Sequence, residues 1–375
     1  MPANLPPEYF KAEQRYLQAK TLEEKIQATQ ELIRIAPKHK GTEKLLRVLK
    51  HRLAKLRKEL EEREKRRGGG GGPSFAVKKE GCAQVALVGL PNSGKSTLLR
   101  KLTNARPEVA EYPFTTRLPV PGMMDYEDVQ VQLVEIPSIV EGSSLGKGLG
   151  AQPLSAARNA DVIALVVDAS SDPLHQVETL VRELEESGVR LNRSPPKVTI
   201  QRREEGGIVI RGKELVEGGE EGIKELLREH RIHNALVVAE ERVSLQTLEE
   251  ILEGSVVYRP CFVLLTKTDL SPTSGSFSGL RVIDTGRPLQ ELKREIFESL
   301  GLIRVYTKRP NEEPSERPLV LPRGSTPLDV ARAIHKELEK GMRSARVWGS
   351  TRFPGQWVPR DYPLQDGDVV ELHSD

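Results

Sequence analysis

Hydrophobic and polar residues follow different periodicities in three successive stretches of the chain. In the first stretch, residues 1–67, leucines recur at steps of three and four, namely Leu45, Leu49, Leu53, Leu56 and Leu60. This spacing places their side chains along one face of a helix. Thr21 and Glu24 have capping-box spacing ahead of an earlier helical run, which Pro37 ends. We therefore predict a helical arm over residues 1–67.

Short apolar runs that are typical of strands alternate with helical stretches between residues 81 and 302. The strand candidates are Val85–Val88, Val129–Val134, Val162–Val167 and Phe262–Leu265. This alternation predicts an α/β fold, with a mostly parallel sheet and helices on both of its faces. A linker, residues 68–80, precedes this stretch, because Gly68–Gly72 followed by Pro73 cannot hold a helix or a strand.

The third stretch, residues 303–375, has the pattern of a small β-rich domain around one helix. Its strand candidates are Ile303–Tyr306, Leu319–Leu321, Val347–Trp348 and Val369–Leu372, and its helix lies near Leu328–Leu338. A chain of 375 residues exceeds what one hydrophobic core usually organises, so a division into several domains is expected.

Composition excludes several classes of protein. With 37% hydrophobic and 30% charged residues, the chain suits a globular protein with a charged surface. Two cysteines, Cys82 and Cys261, exclude a disulfide framework and offer no metal-ligand spacing. The start of the chain lacks a signal-peptide pattern, and no apolar run approaches the roughly 20 residues that cross a bilayer. We expect a cytoplasmic protein without a membrane partner.

The net charge of +3 does not by itself identify a nucleic-acid binder, so the distribution of charge matters more. The helix that starts near Thr42 carries many basic residues outside its leucine face, from Lys50 to Arg67, diluted by Glu59, Glu61, Glu62 and Glu64. Two interpretations remain open. The arm is either a helical hairpin with a solvated outer face or a basic surface that meets RNA phosphates or a partner protein.

A phosphate-binding motif follows the first strand candidate. Residues 89–96 match the GxxxxGK[ST] phosphate loop in full, and a helical run with Leu98, Leu99 and Leu102 follows. Loop N–H groups surround a β-phosphate, Lys95 places a charge against the β- and γ-phosphates, and the Ser96 hydroxyl ligates Mg²⁺. The expected nucleotide contacts are Gly89, Pro91, Asn92, Ser93, Gly94, Lys95, Ser96 and Thr97.

The base is predicted to be guanine. Thr266-Lys267-Thr268-Asp269 follows the strand Phe262–Leu265, where GTPases keep their NKxD element. The Asp269 carboxylate accepts two hydrogen bonds from guanine N1 and N2, a pair that adenine cannot supply. Thr266 replaces the usual Asn, which weakens the link expected between this loop and the phosphate loop. The alternative is an ordinary surface turn. We also assign Thr266, Lys267, Asp284 and Thr285 to the site, which takes GTP or GDP.

With these two motifs in order, the chain resembles the developmentally regulated GTP-binding proteins, Obg-like GTPases with a C-terminal TGS domain. Beyond the phosphate loop, the matching strings are Lys65-Arg66-Arg67, Tyr112-Pro113-Phe114-Thr115-Thr116, Glu141-Gly142, Gly146-Lys147-Gly148, Arg190-Leu191-Asn192, Pro195-Pro196-Lys197-Val198-Thr199-Ile200, Ile232-His233-Asn234-Ala235 and Arg304-Val305-Tyr306-Thr307-Lys308. They follow the family order over nearly the whole length.

The resemblance implies a P-loop GTPase domain over residues 81–302, with a small α/β insert at about 188–247. The long separation between two strand candidates agrees with an insert. It implies that Tyr112–Thr116 is the first switch, and that Thr116, or alternatively Thr115, ligates Mg²⁺. Lys95 and Thr116 are then the catalytic residues. Residues 303–375 resemble a TGS domain, a β-grasp fold.

Aromatic and histidine residues outside the motifs are given structural roles. We expect Trp348, Phe353, Trp357 and Tyr362 to be core and loop packing of the TGS domain, with base stacking as the alternative. His230 and His233 are three residues apart but lack further ligands nearby in the sequence, so no metal site is predicted there.

The second switch departs from the family pattern DxxG. The chain has Glu135-Ile136-Pro137-Ser138, followed by Ile139. Glu135 keeps the charge on a longer side chain, and Ser138 adds a Cβ where the backbone needs an unusual φ. Ile139 stands where Ras-type proteins place a water-orienting Gln. Relatives with an Asn matching Asn92 use K⁺, so Asn92 is a candidate K⁺ ligand.

These features together imply a slow GTPase that acts as a conformational switch in translation. The arm, the insert and the TGS domain are the expected contact surfaces for the ribosome, for rRNA or tRNA, and for a regulatory protein. The alternative is a nucleotide-binding adaptor with decayed hydrolysis that docks to RNA or a protein partner.

Overall fold

A computed structural model describes residues 6–19, 22–37, 42–67, 75, 77–104, 118–145, 151–271, 277 and 279–374. The predicted first switch, Thr21, the glycine run and Gly146–Gly148 lie outside these residues, as do the side chains of residues 58–67. The chain forms two compact units. The first comprises Met1–Phe75, Ile139–Arg158 and Val181–Arg259, and the second comprises Ala76–Ser138, Asn159–Leu180 and Pro260–Asp375.

The strands, in chain order, are β1 (Gln84–Val88), β2 (Val120–Tyr126), β3 (Val129–Glu135), β4 (Val162–Asp168), β5 (Val189–Leu191), β6 (Val198–Arg202), β7 (Ile208–Arg211), β8 (Ala235–Ala239), β9 (Val257–Arg259), β10 (Cys261–Thr266), β11 (Arg281–Asp284), β12 (Leu302–Thr307), β13 (Leu319–Pro322), β14 (Met342–Trp348), β15 (Gln356–Pro359) and β16 (Asp368–Ser374). The helices are α1 (Pro7–Gln18), α2 (Leu22–Ile35), α3 (Glu43–Arg67), α4 (Lys95–Leu102), α5 (Ala151–Asn159), α6 (Pro173–Glu186), α7 (Gly219–Glu229), α8 (Leu245–Glu253), α9 (Leu289–Ser299), α10 (Pro327–Ile334) and α11 (Lys336–Gly341).

A six-stranded sheet organises the second unit. Its strand order is β11-β10-β4-β1-β3-β2, and only the edge strand β2 is antiparallel to its neighbour. Strands β1, β4 and β10 are buried along their whole length, which explains their continuous apolar sequences. Helices α4 and α9 pack their apolar residues onto this sheet. The predicted α/β fold with a mostly parallel sheet is confirmed.

A second sheet lies at the C-terminal end of the same unit. Its order is β13-β12-β16-β14-β15, and α10 packs against it with Val330 and Ala331 buried. The helix predicted near Leu328–Leu338 is two helices, because His335 between them has an extended backbone with φ −164°. This sheet wrapped around one main helix is a β-grasp arrangement.

Arg304 of β12 joins this C-terminal sheet to the β2–β3 hairpin. Its guanidinium donates to Asp366 at 2.7 and 3.1 Å and forms an ion pair with Glu127 at the hairpin turn. It also lies over the rings of Tyr126 and Phe297, 5.3 and 5.6 Å from their centroids. The two sheets of the second unit therefore share a buried cation.

In the first unit, α1, α2 and α3 pack around a small core that includes Tyr9, Leu32 and Leu49. Helix α1 is an addition to the two helices predicted from the sequence. Arg47 of α3 lies 3.6 Å from both Glu229 and Glu249, which belong to α7 and α8. The arm therefore contacts the helices of the inserted body.

The inserted body is a three-stranded sheet, β6-β8-β7, covered by α7 and α8. Its core includes Ile223, Leu227 and Val237 and takes in Leu248 of α8, so the body extends past residue 247. Strands β5 and β9 pair in parallel beside it. Within the described residues, no helix is both long enough and apolar enough to span a membrane.

Candidate nucleotide site

The phosphate loop occupies the turn from β1 to α4. Gly94, just before α4, has φ 90°, and Asn92 has φ 61°, values that glycine adopts freely and asparagine tolerates. A Cβ on Gly89 would stand 2.5 Å from Ser93 Oγ and 2.6 Å from the Val166 carbonyl oxygen. The shape of the loop therefore requires both Gly89 and Gly94. Pro91, Asn92 and Thr97 are exposed.

Lys95 is the buried charge of this loop, with 5% of its surface exposed. Its Nζ donates to the carbonyls of Gly89 and Leu90 at 3.1 and 2.9 Å, and to Ser138 Oγ at 3.0 Å. The last contact joins the phosphate loop to the predicted second switch. An ammonium held among loop carbonyls in this way is positioned to meet phosphate oxygens.

Ser96 and Glu135 form a second link between the same two segments. The Ser96 hydroxyl donates to Glu135 Oε1 at 2.5 Å. A hydroxyl and a carboxylate are hard oxygen ligands of the kind that Mg²⁺ prefers, and a single ion could take both. The residues present therefore fit the magnesium site that the sequence predicts, while Thr116 lies outside the described residues.

Ser138 does not have the unusual backbone that the sequence led us to expect. It is not among the described residues with positive φ. That contact of its N–H with a γ-phosphate requires an unusual φ stays a prediction. Its side chain instead accepts a hydrogen bond from Lys95. Ile139, in the position of a water-orienting Gln, is fully buried.

The predicted base loop begins where β10 ends. Lys267 has φ 55° and forms an ion pair with Asp168 at the end of β4. Burial of the Asp168 carboxylate opposes its ionisation, but hydrogen bonds from Lys267 and Ser170 outweigh burial and lower its pKa. Asp269 is exposed, and no described residue gives its carboxylate a hydrogen bond or an ion pair. Its oxygens are therefore open to a ligand.

Thr266 keeps the link between the base loop and the phosphate loop, which was expected to be weakened because Thr266 replaces the usual Asn. Its Oγ1 lies 2.8 Å from the Ser93 carbonyl oxygen and 3.0 Å from that of Val167. A hydroxyl has one proton and can donate to only one of these carbonyls at a time. The base loop and the phosphate loop are nevertheless tied directly together.

Asp284 and Thr285 lie beside the base loop, because β11 pairs with β10 and sets Asp284 opposite Leu265. Asp284 Oδ1 accepts from Thr268 Oγ1 at 2.7 Å and from the Gly286 N–H at 2.8 Å. Thr285 is buried, and its hydroxyl donates to the Leu265 carbonyl at 3.0 Å. Both side chains are therefore engaged in holding the base loop.

Two residues of this region were missed from the sequence. Asp168 anchors Lys267, and Gln176 of α6 exchanges hydrogen bonds with the Asp168 backbone at 3.0 and 2.9 Å. An acidic residue directly after the buried run Val162–Val167 was a signal for the first. Nothing in the sequence indicates the second.

The phosphate loop after β1 and the base loop after β10 lie at the same edge of the sheet, because both strands are parallel to β4. A phosphate loop with its buried lysine, tied to a second loop that presents an open carboxylate, defines the class of P-loop GTP-binding proteins.

Comparison with known proteins places the chain within this class. Residues 84–201 match the family described as 50S ribosome-binding GTPase, residues 205–302 match the C-terminal region of that domain, and residues 303–374 match the TGS domain. An uncharacterised GTP-binding protein of Methanocaldococcus jannaschii is 40% identical over 366 residues, covering 94% of this chain and 92% of its own length. Developmentally regulated GTP-binding protein 1 of Xenopus laevis is 35% identical over 347 residues, covering 89% of this chain and 94% of its own.

The chain belongs to the family of developmentally regulated GTP-binding proteins, and the resemblance found in the sequence is confirmed. Among solved structures, the YchF GTPase of Schizosaccharomyces pombe is 16% identical, covers 80% of this chain and 99% of its own, and has a TM-score of 0.40. The fold described above rests on the strand order of this chain rather than on that distant likeness.

Proposed function

We propose that this GTP-binding protein is a slow GTPase and a cytoplasmic conformational switch that acts in translation at the ribosome. The observation that carries the proposal is the pair of side-chain bonds from the phosphate loop to the second switch, Lys95 to Ser138 and Ser96 to Glu135. A γ-phosphate that engages Lys95 and Ser96 competes with both bonds. Binding and hydrolysis of GTP would then alternately release and restore the second switch.

The residues of the site have distinct roles in this proposal. Loop N–H groups of Gly89 to Ser96 hold the β-phosphate, with Thr97 in the first turn of the helix. Lys95 stabilises charge on the β- and γ-phosphates as water attacks the γ-phosphate. Asp269 reads guanine N1 and N2, while Lys267 and Thr266 fix the loop that presents it. Asp284 and Thr285 support this loop from β11.

Ser96, Glu135 and Thr116 are the residues proposed to hold Mg²⁺, which when bound neutralises charge on the β- and γ-phosphate oxygens. Asn92, on the exposed side of the loop, is the proposed K⁺ ligand. Ile139 is apolar and buried and cannot orient a water molecule. Without such a group, turnover on the order of 10⁻⁴ s⁻¹ is expected for the unaided protein.

Support for an RNA partner comes from the C-terminal domain. The exposed fractions of Phe353 and Trp357 are 61% and 55%, so the expectation that these two side chains are packing residues is wrong. Tyr362 does pack against the domain core, and Trp348 is partly buried. Arg346 lies over the rings of Trp348 and Trp357, 5.2 and 5.7 Å from their centroids.

We call Trp348, Phe353 and Trp357, with Arg346, Arg352 and Lys308, the aromatic face. Lys308 Nζ lies 4.5 Å from the Trp348 ring centroid, and Arg352 lies 5.3 Å from that of Phe353. Exposed rings interleaved with cations form stacking platforms for unpaired bases. The base-stacking alternative is therefore the one we propose, with rRNA or tRNA as the ligand and the basic arm and insert as further contact surfaces, one of which could take a regulatory protein.

The experiment that tests this function measures phosphate release over many turnovers, with Mg²⁺ and K⁺, in the presence and absence of ribosomes. A slow basal rate that ribosomes increase is the expected result, and Lys95→Met should abolish both rates. The adaptor alternative rests on the departure of Glu135 and Ser138 from the DxxG pattern. GTP binding without release of phosphate under either condition would select the adaptor and reject the switch.

A further inference from the structure

A cluster of three metal-ligating side chains lies where the arm meets the inserted body. His51 belongs to α3, His230 follows α7, and Glu253 ends α8. One ligand atom from each lies within 4.8 Å of the other two. His51 Nδ1 is 3.0 Å from Glu253 Oε1, and His230 Nε2 is 3.9 Å from the same oxygen. No metal site was predicted at His230 because it has no further ligands nearby in the sequence, whereas His51 and Glu253 are distant in the sequence and meet it only in the folded chain.

His230 carries an unsatisfied nitrogen that points into this cluster. Its side chain is 10% exposed, and its Nε2 is buried without a hydrogen-bond partner in the described part of the chain. The other ring nitrogen, Nδ1, lies 3.0 Å from the Leu226 carbonyl oxygen. A proton on Nδ1 donates to that carbonyl and leaves the Nε2 lone pair free. Metal-bound histidines commonly have their second nitrogen fixed in this way.

Glu253 contributes the carboxyl group of the cluster. Its side chain is 9% exposed, and its ion pairs in the described residues are with His51 and His230. The nearby guanidinium of Arg47 is directed to Glu229 and Glu249 instead. A cation would stabilise the ionised form of a carboxyl group that is little exposed and has no Lys or Arg partner among the described residues.

The spacing of the three ligand atoms suits a small divalent ion. Zn–N and Zn–O bonds of about 2.0–2.2 Å place the ligand atoms of a tetrahedral site roughly 3.3 Å apart. Two of the three separations, 3.0 and 3.9 Å, lie on either side of this value, and the third is within 4.8 Å, so side-chain movement of about an ångström would complete the site. Two imidazoles and one carboxylate are a ligand set that suits Zn²⁺ and its transition-metal neighbours rather than Mg²⁺ or Ca²⁺.

We propose that His51, His230 and Glu253 bind a divalent transition-metal ion with the ligand preferences of Zn²⁺. The ion fastens helix α3 of the arm to α7 and α8 of the inserted body. Three protein ligands leave one coordination position for water. The site uses none of the phosphate-loop residues.

Zinc binding by the full-length protein tests the proposal. Protein prepared with chelator is given Zn²⁺, freed of excess metal by gel filtration, and assayed for bound zinc. We expect one equivalent in the wild type and in His233→Ala, an exposed histidine three residues from His230. Glu253→Gln and His51→Ala should lose the metal. Glu253→Gln preserves side-chain size, and His51 is exposed, so neither variant depends on repacking a core.

Two further measurements separate this site from incidental binding. Co²⁺ in place of Zn²⁺ should give the intense visible bands of a tetrahedral ion in the wild type, and these should be absent in Glu253→Gln. Zn²⁺ should slow proteolysis of the arm in the wild type but not in Glu253→Gln. The proposal is overturned if the wild type retains no zinc, or if the two ligand variants match it in stoichiometry and spectrum. Unchanged proteolysis despite specific binding would overturn the fastening role.

Discussion

The Asp269 carboxylate is exposed and unpartnered in the described part of the chain, whereas Asp284 beside it is held by Thr268 and Gly286. The same residue type therefore has two functions within one loop region. Asp284 maintains the loop, and Asp269 is available to a base.

Asp269→Asn should weaken GTP binding by about 100-fold or more, because two hydrogen bonds to a charged acceptor are lost or reversed. The variant should bind xanthosine triphosphate better than the wild type does, since xanthine offers a carbonyl to the new amide. Fluorescent-nucleotide titration measures both affinities. Asp361→Asn, at an exposed position of the C-terminal domain, is the matched control and should bind GTP normally. Unchanged GTP affinity in Asp269→Asn would show that the base is recognised elsewhere.

Ser138 and Glu135 each hold a phosphate-loop side chain that the proposed hydrolysis uses. Ser138→Gly combined with Glu135→Asp should release Lys95 and Ser96 toward the nucleotide. A hydrogen bond to a charged group is worth about 1.5–3 kcal/mol, which corresponds to roughly 10- to 150-fold in rate if the bond is lost before the transition state.

Single-turnover hydrolysis of the single and double variants measures this effect. Ser138→Ala is the informative control, because it removes the hydroxyl but keeps the Cβ. Its single-turnover rate should equal that of Ser138→Gly if the hydrogen bond to Lys95 slows hydrolysis. A double variant no faster than the wild type would mean that the second switch has adapted around both residues.

Among the secondary-structure elements, buried strands were predicted correctly and several half-exposed strands were missed. Strands β1, β3, β4 and β10 were predicted to within a residue at each end. The apolar runs of β1, β4 and β10 are buried along their whole length, and β3 keeps buried valines and a leucine beside its two glutamines. Strand β2 was missed because it is a half-exposed edge strand that contains Pro121 and Gly122. Strand β15 was missed for a similar reason, with Val358 alone buried among its four residues.

The parts of the nucleotide site that could be predicted are those whose residues lie close together in the sequence. The phosphate loop and the base loop each place their residues within eight positions, so a motif reveals them. The bonds between segments were not predictable. Lys95 and Ser138 are 43 residues apart, Lys267 and Asp168 are 99 apart, and His51 and Glu253 are 202 apart. Only the folded chain brings such pairs together, and they modify the chemistry that the motifs supply.

For the whole molecule, the aromatic face makes docking to RNA testable without removing a domain. Trp357→Ala should weaken ribosome binding in co-sedimentation by about 5- to 150-fold, the effect of losing one stacked base at roughly 1–3 kcal/mol. Trp357→Phe keeps a ring in place and should retain most of the binding.

Deletion of residues 1–67 should remove a further contribution that falls steeply with salt, because phosphate contacts release counterions. Co-sedimentation at several salt concentrations distinguishes the two surfaces. Wild-type binding by Trp357→Ala and by the arm deletion would mean that neither surface contacts the ribosome.

Arg304, the buried cation that contacts both sheets of the second unit, also provides a mechanical connection. Arg304 holds the C-terminal domain to Glu127 at the turn of the β2–β3 hairpin, and β3 ends eight residues later at Glu135, in the predicted second switch. A strand of this length is a stiff rod of about 20 Å. A load applied to the C-terminal domain by a docked RNA therefore has a short, rigid path to the carboxylate that holds Ser96. Strand β3 would therefore transmit a force on the C-terminal domain to the phosphate loop.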